Sequence, residues 1–254
     1  KRAEPITGVI GNPPYKEKAK GFCGWVEIGS PNVKAPLAAW MPPADWGVGT
    51  HTKHLRNLYV YFWRWATWKV FGDSTAEPSA LLETNREGVV CFISVAGFLN
   101  GPGFQKMRAD LRRDTDEIWV IDCSPEGHQP DVATRVFQDV QQPVCIVLAS
   151  RFANTDSAKP ARVRFRSLPA GRREDKFEAI AALTLDSEGW IDCPADWRAP
   201  FLPTATGDWA TFPALEDFFV YNGSGVMPGR TWVISPDAEL SLIHISEPTR
   251  QAEI

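Results

Sequence analysis

Apolar residues along the chain fall in short blocks set off by turn residues, and the spacing within each block predicts an element. Thr7 to Gly11 is an apolar run that stops at Asn12-Pro13-Pro14-Tyr15, where proline cannot continue a sheet ladder. Lys16 to His54 is rich in turn residues and lacks periodicity. It is too long for a plain connector, so a lid or binding loop is expected. From Leu55 to Phe71, the residues Leu55, Leu58, Tyr59, Phe62, Trp65, Ala66 and Val70 recur at helical spacing and predict one apolar face. Val89 to Val95, Glu117 to Cys123 and Pro143 to Ser150 are continuous apolar runs and predict buried strands. Phe104 to Asp114 predicts a short helix whose basic face carries Lys106, Arg108, Arg112 and Arg113. Arg162 to Leu168 alternates arginine with Val and Phe, as a half-exposed strand does, and Arg173 to Leu185 is helical. Strands alternating with helices predict an α/β sheet covered on both faces. Periodicity fades after Asp186, which puts a boundary near 186–200.

Composition narrows the class. Hydrophobic residues make up 44% of the 254, enough for a packed core. The net charge of −4 argues against a globally basic nucleic-acid binder and leaves local patches open. The densest such patch holds Lys159, Arg162, Arg164, Arg166, Arg172 and Arg173, either phosphate contacts or a solvated face. Five cysteines, an odd number without a C-x-x-C pair, read as buried hydrophobes in a reducing cytoplasm. His51 and His54 could share a helix face, but no further ligand lies near them in sequence, so no metal is expected. No apolar run is long enough to span a membrane.

The chemistry is concentrated in Asn12, Pro13, Pro14 and Tyr15. They end a strand, and the C-terminal edge of an open α/β sheet is where such folds bind ligands. An exocyclic amine is a poor nucleophile because its lone pair is delocalised into the ring. Two acceptors in the amine plane, the Asn12 side-chain oxygen and the Pro13 carbonyl, favour a pyramidal nitrogen able to take a methyl group from a sulfonium donor. The proline pair stiffens the turn, and Tyr15 offers a flat face for a base. The bland alternatives are a proline-rich loop closing a strand, or an exposed polyproline ligand.

Asn-Pro-Pro-Tyr after an apolar strand resembles the amine-methylating motif of the amino-methyltransferases. Further stretches resemble the type ISP restriction–modification branch: Asn57 to Ala66, Gly88 to Leu99, Phe104 to Leu111, Val136 to Val147, Arg172 to Phe177 and Asn222 to Arg230. The resemblance covers residues 6–236. It implies a Rossmann-like methyltransferase fold, present in part as the C-terminal half of the catalytic sheet (1–185), then a linker and the start of a target-recognition region (186–239). Residues 240–254 resemble a non-native, adapter-derived tail. The implied activity is transfer of a methyl group from S-adenosylmethionine to the N6 amine of adenine in double-stranded DNA, the adenine flipped between Tyr15 and Phe137. Nuclease and translocase domains are implied elsewhere in the full polypeptide. In this motif order the glycine-rich cofactor loop precedes Asn12, so the chain is expected to start too late to hold it and to be inactive alone. Gly223 to Gly229 mimics such a loop, but Pro228 argues against a helix start there. A base admitted between Tyr15 and Phe137 requires both loops at one sheet edge, with ring centres roughly 7–12 Å apart. The same chemistry serves N4-cytosine and protein-glutamine methylation, and a non-catalytic DNA-binding piece is the remaining alternative.

Overall fold

The structure is a computed structural model and describes residues 6–31, 33–72, 86–127, 135–137, 140–204, 211–213 and 218. The chain divides into two compact units, Lys1–Thr204 and Ala205–Ile254. The tail 240–254 and the stretch Asn222–Arg230 lie outside the described residues, as does nearly all of the second unit.

The first unit is built on a six-stranded mixed sheet. Its strands are β1 (Gly8–Gly11), β2 (Gly88–Val95), β3 (Glu117–Asp122), β4 (Val144–Arg151), β5 (Arg162–Ser167) and β6 (Ile191–Asp192), in the order β1-β2-β4-β3-β5-β6. β1 pairs parallel to β2, and β3 parallel to β5, whereas β4 runs antiparallel to both β2 and β3. Strands β1, β2, β3 and β5 therefore point the same way. Their C-terminal ends, and the start of β4, share one edge. This is the expected α/β class.

The helices are α1 (Gly24–Ile28), α2 (Leu58–Phe71), α3 (Gln105–Asp114) and α4 (Arg173–Ala182). Strand alternation sends Val90, Phe92, Ile118, Val120, Val147, Val163 and Phe165 to one face, where they share a core with Trp63, Val70, Met107 and Leu111 of α2 and α3. The other face was expected to be covered as well. Among the described residues its cover is partial: at the C-terminal end Cys123, Val144 and Leu168 pack with Ile93, Ile121 and Ile146 and with Ala179 and Ile180 of α4, and in mid-sheet Trp190 packs on the buried Trp119. Ile10 is 83% exposed on that face.

Helix α2 differs from its expected form in two ways. It begins at Leu58 because Asn57 is extended (φ −84°, ψ 142°), and the preceding Gly49–Arg56 is a 3-10 segment. It is also buried on most sides: Trp63, Arg64 and Thr67 are as buried as Tyr59 and Val70, whereas Phe62, expected on the apolar face, is exposed. The segment expected to be a long loop explains this. Its Leu37 and Trp40 are buried against the helix together with Leu55, which was expected to open the helix and lies in the 3-10 segment instead, and the Arg64 Nε donates to the Pro36 carbonyl at 2.7 Å. A helix apolar on every side needs cover on every side.

The basic face of α3 also turns inward. Arg108 and Arg112 are 2% and 0% exposed. Arg108 donates to the carbonyls of Phe98, Gly101, Arg198 and Ala199, and Arg112 to those of Pro194, Ala199 and Pro200. Backbone carbonyls pair Arg108 and the two terminal nitrogens of Arg112, while the Arg112 Nε is buried without a partner. Burial lowers each to about 10, so both stay charged at neutral pH. The stretch after Asp186 that lost periodicity is thereby strapped onto the first unit. Gly103 is required at the foot of α3, since a Cβ there would lie 2.2 Å from the His51 carbonyl oxygen.

Candidate functional site

β1 ends at Gly11, and the next four residues alternate in depth: Asn12 exposed, Pro13 buried, Pro14 exposed, Tyr15 half-buried. Pro13 faces in and Asn12 faces out because the prolines hold the chain extended. The turn is anchored downstream. The Lys16 carbonyl accepts the Leu58 N–H at 2.8 Å, the Lys18 N–H donates to the Asn57 side chain at 3.3 Å, and the Ala19 N–H donates to the Arg56 carbonyl at 2.7 Å. The start of α2 thus sets the height of the turn.

The Tyr15 ring lies over the C-terminal end of the sheet. Its hydroxyl donates to the Ile93 carbonyl at 3.4 Å, and the ring packs in the cluster that holds Ile121 and Ile146. Burial, with smaller contributions from Cys145 and Cys123, pushes the phenol well above its ordinary value, so it stays neutral. Phe137 comes from the connection between β3 and β4 and meets Tyr15 with ring centres 6.2 Å apart, edge to face at 60°. The two rings are 122 positions apart in sequence and in contact in space. The separation is shorter than the 7–12 Å expected for a slot holding a base. The rings fill the gap with each other, and a base entering between them has to displace that contact.

The connection bearing Phe137 is fixed from below. Lys176 of α4 is fully buried, and its Nζ donates to the Cys123 carbonyl at 3.1 Å and to Glu126 at 2.8 Å. Glu126 also accepts the Gly171 N–H at 3.1 Å. Burial alone would raise the Glu126 carboxyl, but Lys176 and the backbone N–H groups outweigh it and hold the group below its ordinary range. Sequence reasoning missed Lys176. Its one available signal was a lysine four residues into a short helix with little helical periodicity.

Beside the rings, on the same edge, is a cavity of about 360 Å³ with Glu17, Asn100, Asp122, Ser124, Gln142 and Leu202 among its lining residues. Glu17 and Gln142 join across it by a 2.9 Å hydrogen bond. None of these residues stood out in the sequence, because they come from five separate segments.

The basic stretch has internal partners. Arg162 makes a two-pronged pair with Asp192 at 2.7 and 2.9 Å. Arg164 lies 4.1 Å over the Trp119 ring and 3.5 Å from Glu117. Arg166 donates to the Glu188 carbonyl. Arg172 and Arg173 open α4, with the Arg173 guanidinium 5.0 Å over the Phe177 ring. His54 packs 6.4 Å from Phe104. All five cysteines are free thiols. No helix among the described residues is long and apolar enough to cross a membrane.

Neither a protein-family model nor a curated protein matches the sequence. Solved structures share the fold. One is the cryoEM structure of a DrdV–DNA complex, 18% identical, with a TM-score of 0.50 over 80% of this chain and 19% of that one. Another is a nuclease-deletion mutant of the Type ISP restriction-modification enzyme LlaGI in complex with a DNA substrate mimic, 16% identical, with a TM-score of 0.53 over 76% of this chain and 17% of that one. The chain spans less than a fifth of either protein, and at these identities the likeness is one of fold.

Proposed function

We propose that this chain carries the amine side of a DNA methyltransferase site in a restriction–modification enzyme, acting on the N6 amine of adenine. The observation that supports this best is the Asn12–Tyr15 turn at the C-terminal edge of the sheet, with Phe137 brought against Tyr15 from a distant loop. The Asn12 side-chain oxygen and the Pro13 carbonyl accept the two amine hydrogens. Tyr15 and Phe137 part to take the base between them, which restores stacking worth about 1–3 kcal/mol once the base has left the duplex. The preference for adenine over cytosine follows from the leading asparagine and the family resemblance.

The methyl donor in this proposal is S-adenosylmethionine, which supplies a methyl group on a positively charged sulfur. The role proposed for this chain's own residues is to bind and orient the amine. Methyl transfer belongs to a larger enzyme, in keeping with the small share of DrdV and LlaGI that the chain spans. Arg172 and Arg173 are the proposed phosphate contacts. Arg162, Arg164 and Arg166 would have to exchange Asp192, Glu117 and the Glu188 carbonyl for phosphate.

Asn12→Ala in the enzyme that carries this chain tests the assignment. Its oxygen acts on the amine in the transition state, so turnover should fall by at least about 100-fold while DNA affinity stays within about twofold. Unchanged turnover would remove Asn12 from the chemistry.

A further inference from the structure

The cavity beside the ring pair has no part in the amine chemistry above. We propose that it is a holding pocket for one unstacked nucleobase bearing an exocyclic amine, next to the Tyr15–Phe137 slot; this rests on the reading of the chain as part of a DNA-modifying site.

Position is the first reason. Glu17 lies two residues past Tyr15, and Gln142 lies five past Phe137, so both ring-bearing loops also line the cavity. Their bond to each other ties the two loops together at its wall. The rings touch at 6.2 Å, and a base leaving the duplex needs another site until they part. At about 360 Å³ the cavity falls within the range of small-ligand sites.

The lining selects the ligand. Val95, Leu99, Pro143 and Leu202 give apolar walls suited to the faces of a flat ring. No lysine or arginine lines it, which disfavours a phosphate. Its charged groups are the carboxylates Glu17 and Asp122. Asp122 is braced in place, accepting the Ser124 N–H at 2.9 Å and the Ser167 hydroxyl at 3.2 Å. Glu17 accepts the Gln142 amide. Each carboxylate oxygen has two lone pairs, so both retain capacity for an amine N–H. A ring without the amine would leave that acceptor capacity unused.

The test is a titration of this chain with adenosine and with purine riboside, which lacks only the 6-amine. It is followed by NMR at the side-chain amides of Asn100 and Gln142 and at the rings of Tyr15 and Phe137. Adenosine should shift both amides saturably, with purine riboside at least about tenfold weaker. Glu17→Gln, a change on an exposed loop, should narrow that gap, and Asp122→Asn should narrow it further. Equal responses to the two nucleosides, shifts at the rings without shifts at the amides, or no shifts up to about 10 mM nucleoside would each overturn the proposal. The titration does not read methyl transfer. A failed pocket leaves the assignment of Asn12 intact, and an amine-selective pocket in an enzyme that methylates no DNA would separate the two in the other direction.

Discussion

Replacing Arg112 with methionine should release the strap from 194 to 201, and the structure sets the magnitude. The guanidinium is fully buried and donates to the carbonyls of Ala199 at 2.8 Å, Pro194 at 3.1 Å and Pro200 at 3.2 Å, while lying 4.6 Å over the Phe201 ring. Methionine keeps most of the stem and removes every donor. Ala199 retains a second donor in the Arg108 Nε at 3.2 Å, which leaves Pro194 and Pro200, with the more distant Trp197 at 3.5 Å, as the carbonyls that lose their partner. A buried acceptor left unpaired costs about 1–3 kcal/mol, so the loss expected from Pro194 and Pro200 is about 2–6 kcal/mol. For a unit of this size that lowers the melting temperature by roughly 4–24 °C. Urea denaturation reads the loss, and amide exchange at Phe201, whose N–H donates to the Leu99 carbonyl at 2.7 Å, tells a detached strap from a weakened whole. Lys159→Ala is the control, since its pair with Asp156 is exposed on both sides and exposed pairs contribute little to stability. Arg112→Met melting within about 2 °C of the parent, with Phe201 protection unchanged, would refute the clasp.

Further outcomes follow from the same contacts. Gly103→Ala drives a methyl into the His51 carbonyl, 2.2 Å from the ideal Cβ, and should cost about 1–3 kcal/mol in denaturant melts; a neutral result would mean the 49–56 segment yields freely. Phe137→Ala should uncover Tyr15 and raise its reactivity to a phenol-directed reagent, while unchanged reactivity would put the cover elsewhere. Asp192, paired with Arg162, and Glu126, held by Lys176, both have carboxyl pKa values below the ordinary range, so their contribution to stability is full above that range and is lost as pH falls through the lowered values. Stability should therefore drop with acid from about pH 4 downward. Burial raises Asp110 and works in the opposite sense, so Glu126→Gln is the informative variant: it should flatten part of the acid slope, and an unaltered slope would exclude the Lys176 pair.

Three strands were legible because their apolar blocks are continuous, and these, the short Thr7–Gly11 run and the alternating Arg162–Leu168 all appear within a residue or two of their expected ends. The reversed direction of β4 was not legible, since no local pattern distinguishes a strand entering the sheet from the opposite edge. Arg108 and Arg112 show a different limit. Four basic residues on one helix look like a solvated face until the carbonyls that bury two of them arrive from about 90 positions away. The 16–54 segment looked like a lid because its apolar residues follow no period, yet it covers α2 with single anchors such as Leu37 and Trp40. At the site, the Asn12–Tyr15 turn could be read from four adjacent letters. The cavity could not, because Glu17, Asn100, Asp122 and Gln142 meet only once the strand ends share an edge.

The most direct test of the central claim is the identity of the methylated product. The enzyme that carries this chain is incubated with duplex DNA and isotope-labelled S-adenosylmethionine, and the DNA is digested to nucleosides and resolved by mass spectrometry. Label on N6-methyldeoxyadenosine, absent in the Asn12→Ala variant, is the predicted result. Label on N4-methylcytosine, on protein glutamine, or on adenine in the Asn12→Ala variant at the parent rate would contradict it.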